Sequence, residues 1–258
     1  MLWARSLARA PVSIKDKTMS RMRADLLIVA RGLAESRAKA VAAIEAGGVR
    51  ANGAPVTKAS EQIDALADLE VTPPHPWVSR GGVKLAYALE AFSLDPSGQT
   101  CLDVGASTGG FTHVLLTHGA RKVYAVDVGQ GQLHASLRDD PRVVSLEHTD
   151  ARILTRALIP EPPTLVVCDV SFIGAAKALA VPLSLAAPSA DLVTLIKPQF
   201  EAGPHKGAVL DEAKARAAAQ TAIDALNSLE GFVLVTTSDS PIRGGDGNLE
   251  RLAHFKRS

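Results

Sequence analysis

The stretch Cys101–Gly110, CLDVGASTGG, opens as an apolar run fit for a buried strand and closes in glycine, alanine, serine and threonine. Between Asp103 and Gly110 the small side chains would let a ligand approach the backbone, and a helix starting there offers free amide groups. Such a turn predicts a nucleotide-shaped site. The competing explanation is a strand-to-helix turn that is rich in glycine only because it is tight.

Downstream, the sequence predicts strands at Val123 to Val128, Val143 to Glu147, Leu165 to Asp169, Leu192 to Lys197, Phe232 to Thr236 and Leu249 to Phe255. Helices are predicted between them at Phe111 to His118, Ile173 to Leu185 and Asp211 to Leu229. With the run at Cys101 this makes seven strands, and the alternation implies a mostly parallel sheet covered on both faces. Ligands of such sheets lie beyond the carboxyl ends of the strands, which here are marked by Gly105, Asp127, Asp150, Asp169 and Lys197.

Asp127 follows Gly105 by 22 residues, about the interval at which a strand-end acid meets a ribose diol. Asp150, expected to close the third strand, has the acceptor an adenine amino group needs, although aspartate at a strand end is also a common turn residue. A nicotinamide dinucleotide site would show GxGxxG. Here Gly105 is followed by Ala106, Ser107, Thr108, Gly109 and Gly110, a wider spacing that fits a mononucleoside such as S-adenosylmethionine.

Upstream, Ser79 to Phe92 reads SRGGVKLAYALEAF, a helix with Lys84 near its start. Helix N-termini repel cations, so Lys84 is either an ordinary solvated lysine or one aimed at an anion. Pro73, Pro74 and Pro76 predict an extended linker before it. Earlier still, Arg23 to Arg31 has helical spacing, Ser36 is placed to cap a second helix ending at Gly47 and Gly48, and Val49 to Val56 turns at Asn52 and Gly53 as a hairpin. From Arg21 to Lys58 seven Lys or Arg face three Asp or Glu, an excess of 7 − 3 = +4 in a chain whose net charge is only +1. That local excess suits a polyanion, whereas the total excludes a uniformly basic nucleic-acid binder.

Cys101 and Cys168 sit in apolar runs and predict buried thiols in a reducing compartment, not a disulfide. The longest uncharged apolar stretch, Ala178 to Ala190, has 13 residues and two prolines, too short and broken to span a bilayer. Residues 1 to 18 lack the apolar core of a secretory signal. They predict a disordered extension, a transit-like leader, or translation starting at Met19 or Met22. His75, His113, His118, His134, His148, His205 and His254 show no metal-ligand spacing, so no metal is expected.

Six separated segments, SRGGVKL, LDVGASTGGFT, VYAVDVGQGQL, CDVSFI, LIKPQFEAG and GGDGNLERL, occur in the order found in the TlyA, or hemolysin A, family. The chain from Trp77 to Lys256 resembles that family of ribosomal RNA 2′-O-methyltransferases, and Arg23 to Lys58 resembles its S4 RNA-binding domain. The resemblance implies an α/β, Rossmann-like class I methyltransferase domain of the FtsJ/RrmJ type over residues 79–258. It also implies a small α+β S4-like domain over 21–72, a linker at 73–78, and an extension at 1–20.

The same resemblance implies a catalytic tetrad at Lys84, Asp169, Lys197 and Glu250. It places the S-adenosylmethionine site at Asp103, Gly105, Ala106, Ser107, Thr108, Gly109, Gly110, Phe111, Asp127, Val128, Asp150, Ala151 and Asp169. Contacts to ribosomal RNA or a ribosomal subunit are expected from Arg23, Arg37, Lys39, Arg50, Lys58 and Arg80, which bind phosphate and position without specifying. A cytidine ribose as acceptor and a cytoplasmic location follow from the same comparison. The chain departs from the family's pattern at Leu249, where an Asn-Arg-Glu run is usual, and at Asp150, where asparagine is common.

The four residue types suit the chemistry, because a ribose hydroxyl is a very weak acid that must be aligned and relieved of its proton as it attacks a sulfonium methyl group. Lys197 is the expected base or orienting group, and since a free lysine has a pKa of about 10.4, both roles stay open. Asp169 is expected to hold Lys197 and meet the cofactor's ammonium group, and Glu250 to fix Lys84. Two other readings remain: a non-catalytic RNA-binding or ribosome-assembly factor, and a membrane-damaging protein as the hemolysin name suggests.

Overall fold

The computed structural model describes residues 20–203, 209–227 and 229–258. The extension expected over 1–20 falls outside these except for residue 20, as does His205. The chain divides into two compact units, Met1–Pro76 and Trp77–Ser258.

In the first unit β1 (Arg21–Arg23) leads into α1 (Ala24–Ala30), and α2 (Arg37–Glu45) follows, capped by Ser36, whose hydroxyl accepts from the Lys39 amide. β2 (Val49–Ala51) and β3 (Ala54–Pro55) form the expected hairpin, with Asn52 and Gly53 both at positive φ, the demand of its two-residue turn. β4 (Gln62–Asp64) pairs with β1, and β5 (Leu69–Val71) pairs with β2. Leu27, Ile28, Ile44, Val49 and Val56 form the core.

The second unit starts at Trp77, two residues before the expected boundary. Its elements are α3 (Gly81–Ala91), β6 (Thr100–Val104), α4 (Gly110–Thr117), β7 (Lys122–Val126), α5 (Ala135–Arg138), β8 (Val143–Leu146) and β9 (Leu165–Cys168). Then come α6 (Ala175–Ser184), β10 (Ala190–Ile196), α7 (Pro198–Glu201), α8 (Glu212–Leu226), β11 (Val233–Asp239) and β12 (Arg251–Arg257). The sheet runs β11-β12-β10-β9-β6-β7-β8, parallel from β10 to β8, with β12 antiparallel to both neighbours. This is the seven-stranded, mostly parallel sheet that the alternation predicts.

Strand side chains alternate between two cores, which is why the runs are apolar throughout. Leu102, Val104, Tyr124, Val126, Val166 and Cys168 face α6 and α8, where Leu179, Leu183, Ile223 and Leu226 meet them. Cys101, Val123, Ala125, Leu165 and Val167 face α3 and α4, where Leu85, Leu89, Val114 and Leu115 meet them. Both cysteines are buried and free, and burial pushes each thiol up to about 12, so neither offers a thiolate near neutrality.

Candidate functional site

The parallel strands deliver Gly105, Asp127, Asp169 and Lys197 immediately beyond the last residues of β6, β7, β9 and β10. Asp150 departs from the expectation that it closes a strand. β8 ends at Leu146, and Asp150 instead caps a 3₁₀ turn over Ala151–Ile153 by accepting from the Arg152 amide.

The glycine turn is built for two purposes. Gly105 has φ +83°, and a Cβ there would lie 2.9 Å from the Asp169 carbonyl oxygen, so main chain packs on main chain between β6 and β9. Gly109 and Gly110 are small for a different reason than ligand approach. A Cβ on Gly109 would strike Leu137 and Leu133, and one on Gly110 would strike the Ser79 hydroxyl and the Gly82 amide. These two glycines let α4 sit close to α5 and α3. Similarly, Gly82 lies against the Trp77 ring, which in turn meets His113 edge-on at 5.4 Å.

Two chambers meet along this turn. One, of about 520 Å³, is lined by Gly105, Ser107, Asp127, Val128, Gln132, Asp150, Ala151 and Phe172, among others. The other, of about 450 Å³, is lined by Ser79, Arg80, Gly81, Ala106, Thr108, Gly110, Phe111 and Lys197. Gly105, Ser107, Asp169 and Ser171 belong to both. Each volume suits a small organic ligand.

In the first chamber Asp127 accepts from the Ser107 amide through Oδ2 at 2.8 Å and from the Gly129 amide through Oδ1 at 2.7 Å. Each carboxylate oxygen keeps a lone pair for a further donor. Asp150 lines the same chamber with its carboxylate engaged by the Arg152 guanidinium at 2.6 Å, which holds it down at about 2. Val128 is an apolar surface at the mouth, 69% exposed.

The four tetrad positions form two ion pairs. Lys197 Nζ, in the second chamber, lies 2.7 Å from Asp169 Oδ1 and donates to Ser171 Oγ at 2.9 Å, both on the wall shared by the chambers. Lys84 pairs with Glu250 in the interior, at 7% and 5% exposure, and neither lines either of these two chambers. Strand register brings the pairs to neighbouring places. Ile196 is opposite Arg251, so Lys197 and Glu250 are the next residues outward on adjacent strands, and Asp169 follows Cys168, which is opposite Thr194.

Asp103 corrects the sequence reading. It is fully buried beneath the turn, absent from both chamber walls, and accepts from Thr112 Oγ1 at 2.7 Å. Its Oδ1 has no hydrogen-bond partner among the described residues. Burial pushes its carboxyl up to about 7, against the Thr112 hydrogen bond and with help from the charges of Asp169 and Asp127. A native pKa above the unfolded value of about 3.9 means stability that is present below pH 4 and lost as pH rises through 7, at most about 4 kcal/mol. Asp103→Asn, neutral throughout, should therefore flatten the fall in unfolding free energy between pH 4 and 8. Urea denaturation series with parallel pH slopes for parent and variant would contradict this.

The basic residues divide by what already holds them. Arg23 and Arg37, expected to contact RNA, both reach the fully buried Asp25 carboxylate with their guanidinium groups, at 2.9 and 2.7 Å. The first of these holds that acid well below the usual carboxylate range. Lys39 pairs with Glu35. Arg50 donates to the Gly53 carbonyl at 2.8 Å and is exposed, as is Lys58. Arg80 belongs to the second unit and lines the chamber beside the glycine turn, donating to the Arg243 carbonyl at 2.6 Å.

Sequence reasoning missed Ser171, Phe172, Gln132, Thr149 and Arg152, which also line the first chamber. Three of the five, Ser171, Thr149 and Arg152, lie within two residues of Asp169 or Asp150. Phe172 is 90% exposed at φ +67°, and its ring stands 5.1 Å from that of Phe200. A bulky residue with positive φ is uncommon and would have drawn notice only from the backbone. Among the described residues no cluster of His, Cys, Asp and Glu is placed to hold a metal, and no helix is long and apolar enough to cross a membrane.

Comparison with known proteins matches residues 77–257 to the FtsJ-like methyltransferase family and residues 22–67 to the S4 domain. A 16S/23S rRNA (cytidine-2′-O)-methyltransferase TlyA from Mycobacterium tuberculosis is 46% identical over 235 residues, 89% of this chain and 88% of that protein. Hemolysin A of Brachyspira hyodysenteriae is 42% identical, covering 91% of this chain and 99% of its own. A solved structure of a hemolysin-like protein from Streptococcus thermophilus is 37% identical with a TM-score of 0.68, covering 93% of this chain and 90% of that one.

Proposed function

The chain belongs to the TlyA, or hemolysin A, family of S4-domain, FtsJ-like methyltransferases, and from that premise we propose that it methylates the ribose 2′-hydroxyl of a cytidine in ribosomal RNA. S-adenosylmethionine is the methyl donor in this reading. The observation that carries it is the Lys197–Asp169 pair, with Asp169 on the wall common to both chambers and Lys197 in the second.

The residues present fit the donor. A chamber of about 520 Å³ has room for a nucleoside, Asp127 keeps two lone pairs for a ribose diol, and Gly105 cannot carry a side chain where the two chambers meet. Asp127 would hold the ribose, Val128 and Ala151 would border the base, and the Gly105–Thr108 turn with Arg80 would receive the amino-acid tail. When bound, the donor supplies an electrophilic methyl group.

An ammonium group has three hydrogens. Lys197 donates one to Ser171 and lies 2.7 Å from the Asp169 carboxylate, facing the second chamber, where the acceptor hydroxyl would lie. As an ammonium it would orient the hydroxyl, whose proton then passes to water; as a neutral amine it would take that proton itself as the oxygen takes the methyl group. The Phe172–Phe200 pair offers a ring face at the mouth, suited to an unstacked base, as in single-stranded RNA recognition. Arg50 and Lys58 supply phosphate contacts from the first unit, and a ribosomal substrate locates the protein in the cytoplasm.

The test is transfer of labelled methyl from S-adenosylmethionine to isolated small and large ribosomal subunits, followed by nuclease digestion. Label recovered as 2′-O-methylcytidine is the expected result, and the subunit that carries it identifies the substrate. RNA binding without label at saturating donor would point to an assembly factor instead.

A further inference from the structure

The segment Gly129–Leu133 follows Asp127 and crosses beside the glycine turn, and it is tied on both sides. On the turn side Ser107 Oγ donates to Gln132 Oε1 at 3.0 Å, the His134 amide donates to the Thr108 carbonyl at 3.2 Å, and Leu133 packs on Gly109. On the other side Glu147 Oε1 accepts from both the Gln132 amide at 2.6 Å and the Leu133 amide at 3.0 Å. The His148 amide donates to the Gly129 carbonyl at 2.8 Å.

Glu147 lines neither chamber, and its partners are amides of a segment that is otherwise turn without regular pairing. That segment supplies the Gly129 amide which fixes Asp127 Oδ1, and the Gln132 side chain which fixes Ser107, whose own amide fixes Asp127 Oδ2. Both orienting bonds on Asp127 thus depend on where Gly129–Gln132 lies.

We propose that Glu147 is a positioning residue for the donor: by clamping the Gln132 and Leu133 amides it aims the Asp127 carboxylate at the ribose without touching the donor itself. This rests on the proposed use of S-adenosylmethionine. Two backbone bonds converge on one oxygen, so glutamine, with a carbonyl at the same reach, should serve almost as well as glutamate, whereas alanine should not.

Calorimetric titration of S-adenosylmethionine into the full chain, with thermal unfolding alongside, separates the cases. Glu147→Ala should raise Kd about tenfold, the scale of one lost bond to a charged group. Glu147→Gln should stay within about threefold of the parent. In methyl transfer the alanine variant should raise KM for the donor and leave kcat at saturation. Gln132→Ala should weaken binding in the same direction, and this covers the case in which Glu147→Ala does not fold. Parental affinity in a folded Glu147→Ala protein, or in Gln132→Ala, overturns the proposal. So does equal loss in the alanine and glutamine variants. Failure of the parent chain itself to bind S-adenosylmethionine would instead sink the functional reading on which it rests.

Discussion

Replacing Lys197 with alanine is expected to lower methyl transfer by about 10²- to 10⁴-fold, the range for a positioned group that acts on a proton in the transition state. Donor affinity should stay within a few fold, because Asp127 and the glycine turn are untouched. Lys197 follows β10 directly and precedes Pro198, which opens α7, so its backbone is fixed by strand and helix and the loss should be chemical, not structural. Lys197→Arg should not restore the rate, since a larger planar guanidinium cannot take the ammonium's place beside Asp169 and Ser171 and cannot give up a proton. The pH profile distinguishes roles. A rate that does not climb with pH marks an orienting ammonium; one that climbs until the lysine is neutral marks a base. Parental kcat in the alanine variant would remove Lys197 from the mechanism.

Lys84→Ala should behave differently, with its first effect on stability. Lys84 and Glu250 are buried together, and removing one partner of such a pair costs about 3 to 5 kcal/mol because the other charge is left without compensation. In a unit of this size each kcal/mol lowers Tm by roughly 2–4 °C, so a fall near 10 °C is expected. The double replacement Lys84→Met with Glu250→Leu should recover most of that loss, as buried pairs often exchange for apolar side chains at little cost. If the double variant regains stability but transfers no methyl groups, the pair also serves the reaction. If it regains both, the pair is a packing device alone. A Lys84→Ala protein as stable as the parent would contradict the burial on which this rests.

The sheet was legible because fully buried parallel strands leave unbroken apolar runs, and the strand-end residues Asp127, Asp169 and Lys197 mark where those runs stop. What escaped reading depends on partners far away in sequence. Glu250, 166 residues from Lys84, is announced as its partner by nothing local, and only the family resemblance implied that pair. Gly109 and Gly110 look the same whether glycine makes room for a ligand or for a neighbouring helix, and here it is the helix. Asp25 sits in a helical pattern as any surface acid would, yet it is buried and occupies two of the arginines otherwise assignable to RNA. β1, β4 and β5 have three residues each, too few to show a period, and exist because partners elsewhere pair with them.

The contact between Gly105 and the Asp169 carbonyl sets a limit on redesign. At this point Gly105 meets the Asp169 main chain, with the Val170 side chain beside it, so the backbone contact itself offers nothing to trim. A variant meant to accept larger groups from synthetic donors must find its space at Val170 or Ser171, whose side chains can be trimmed.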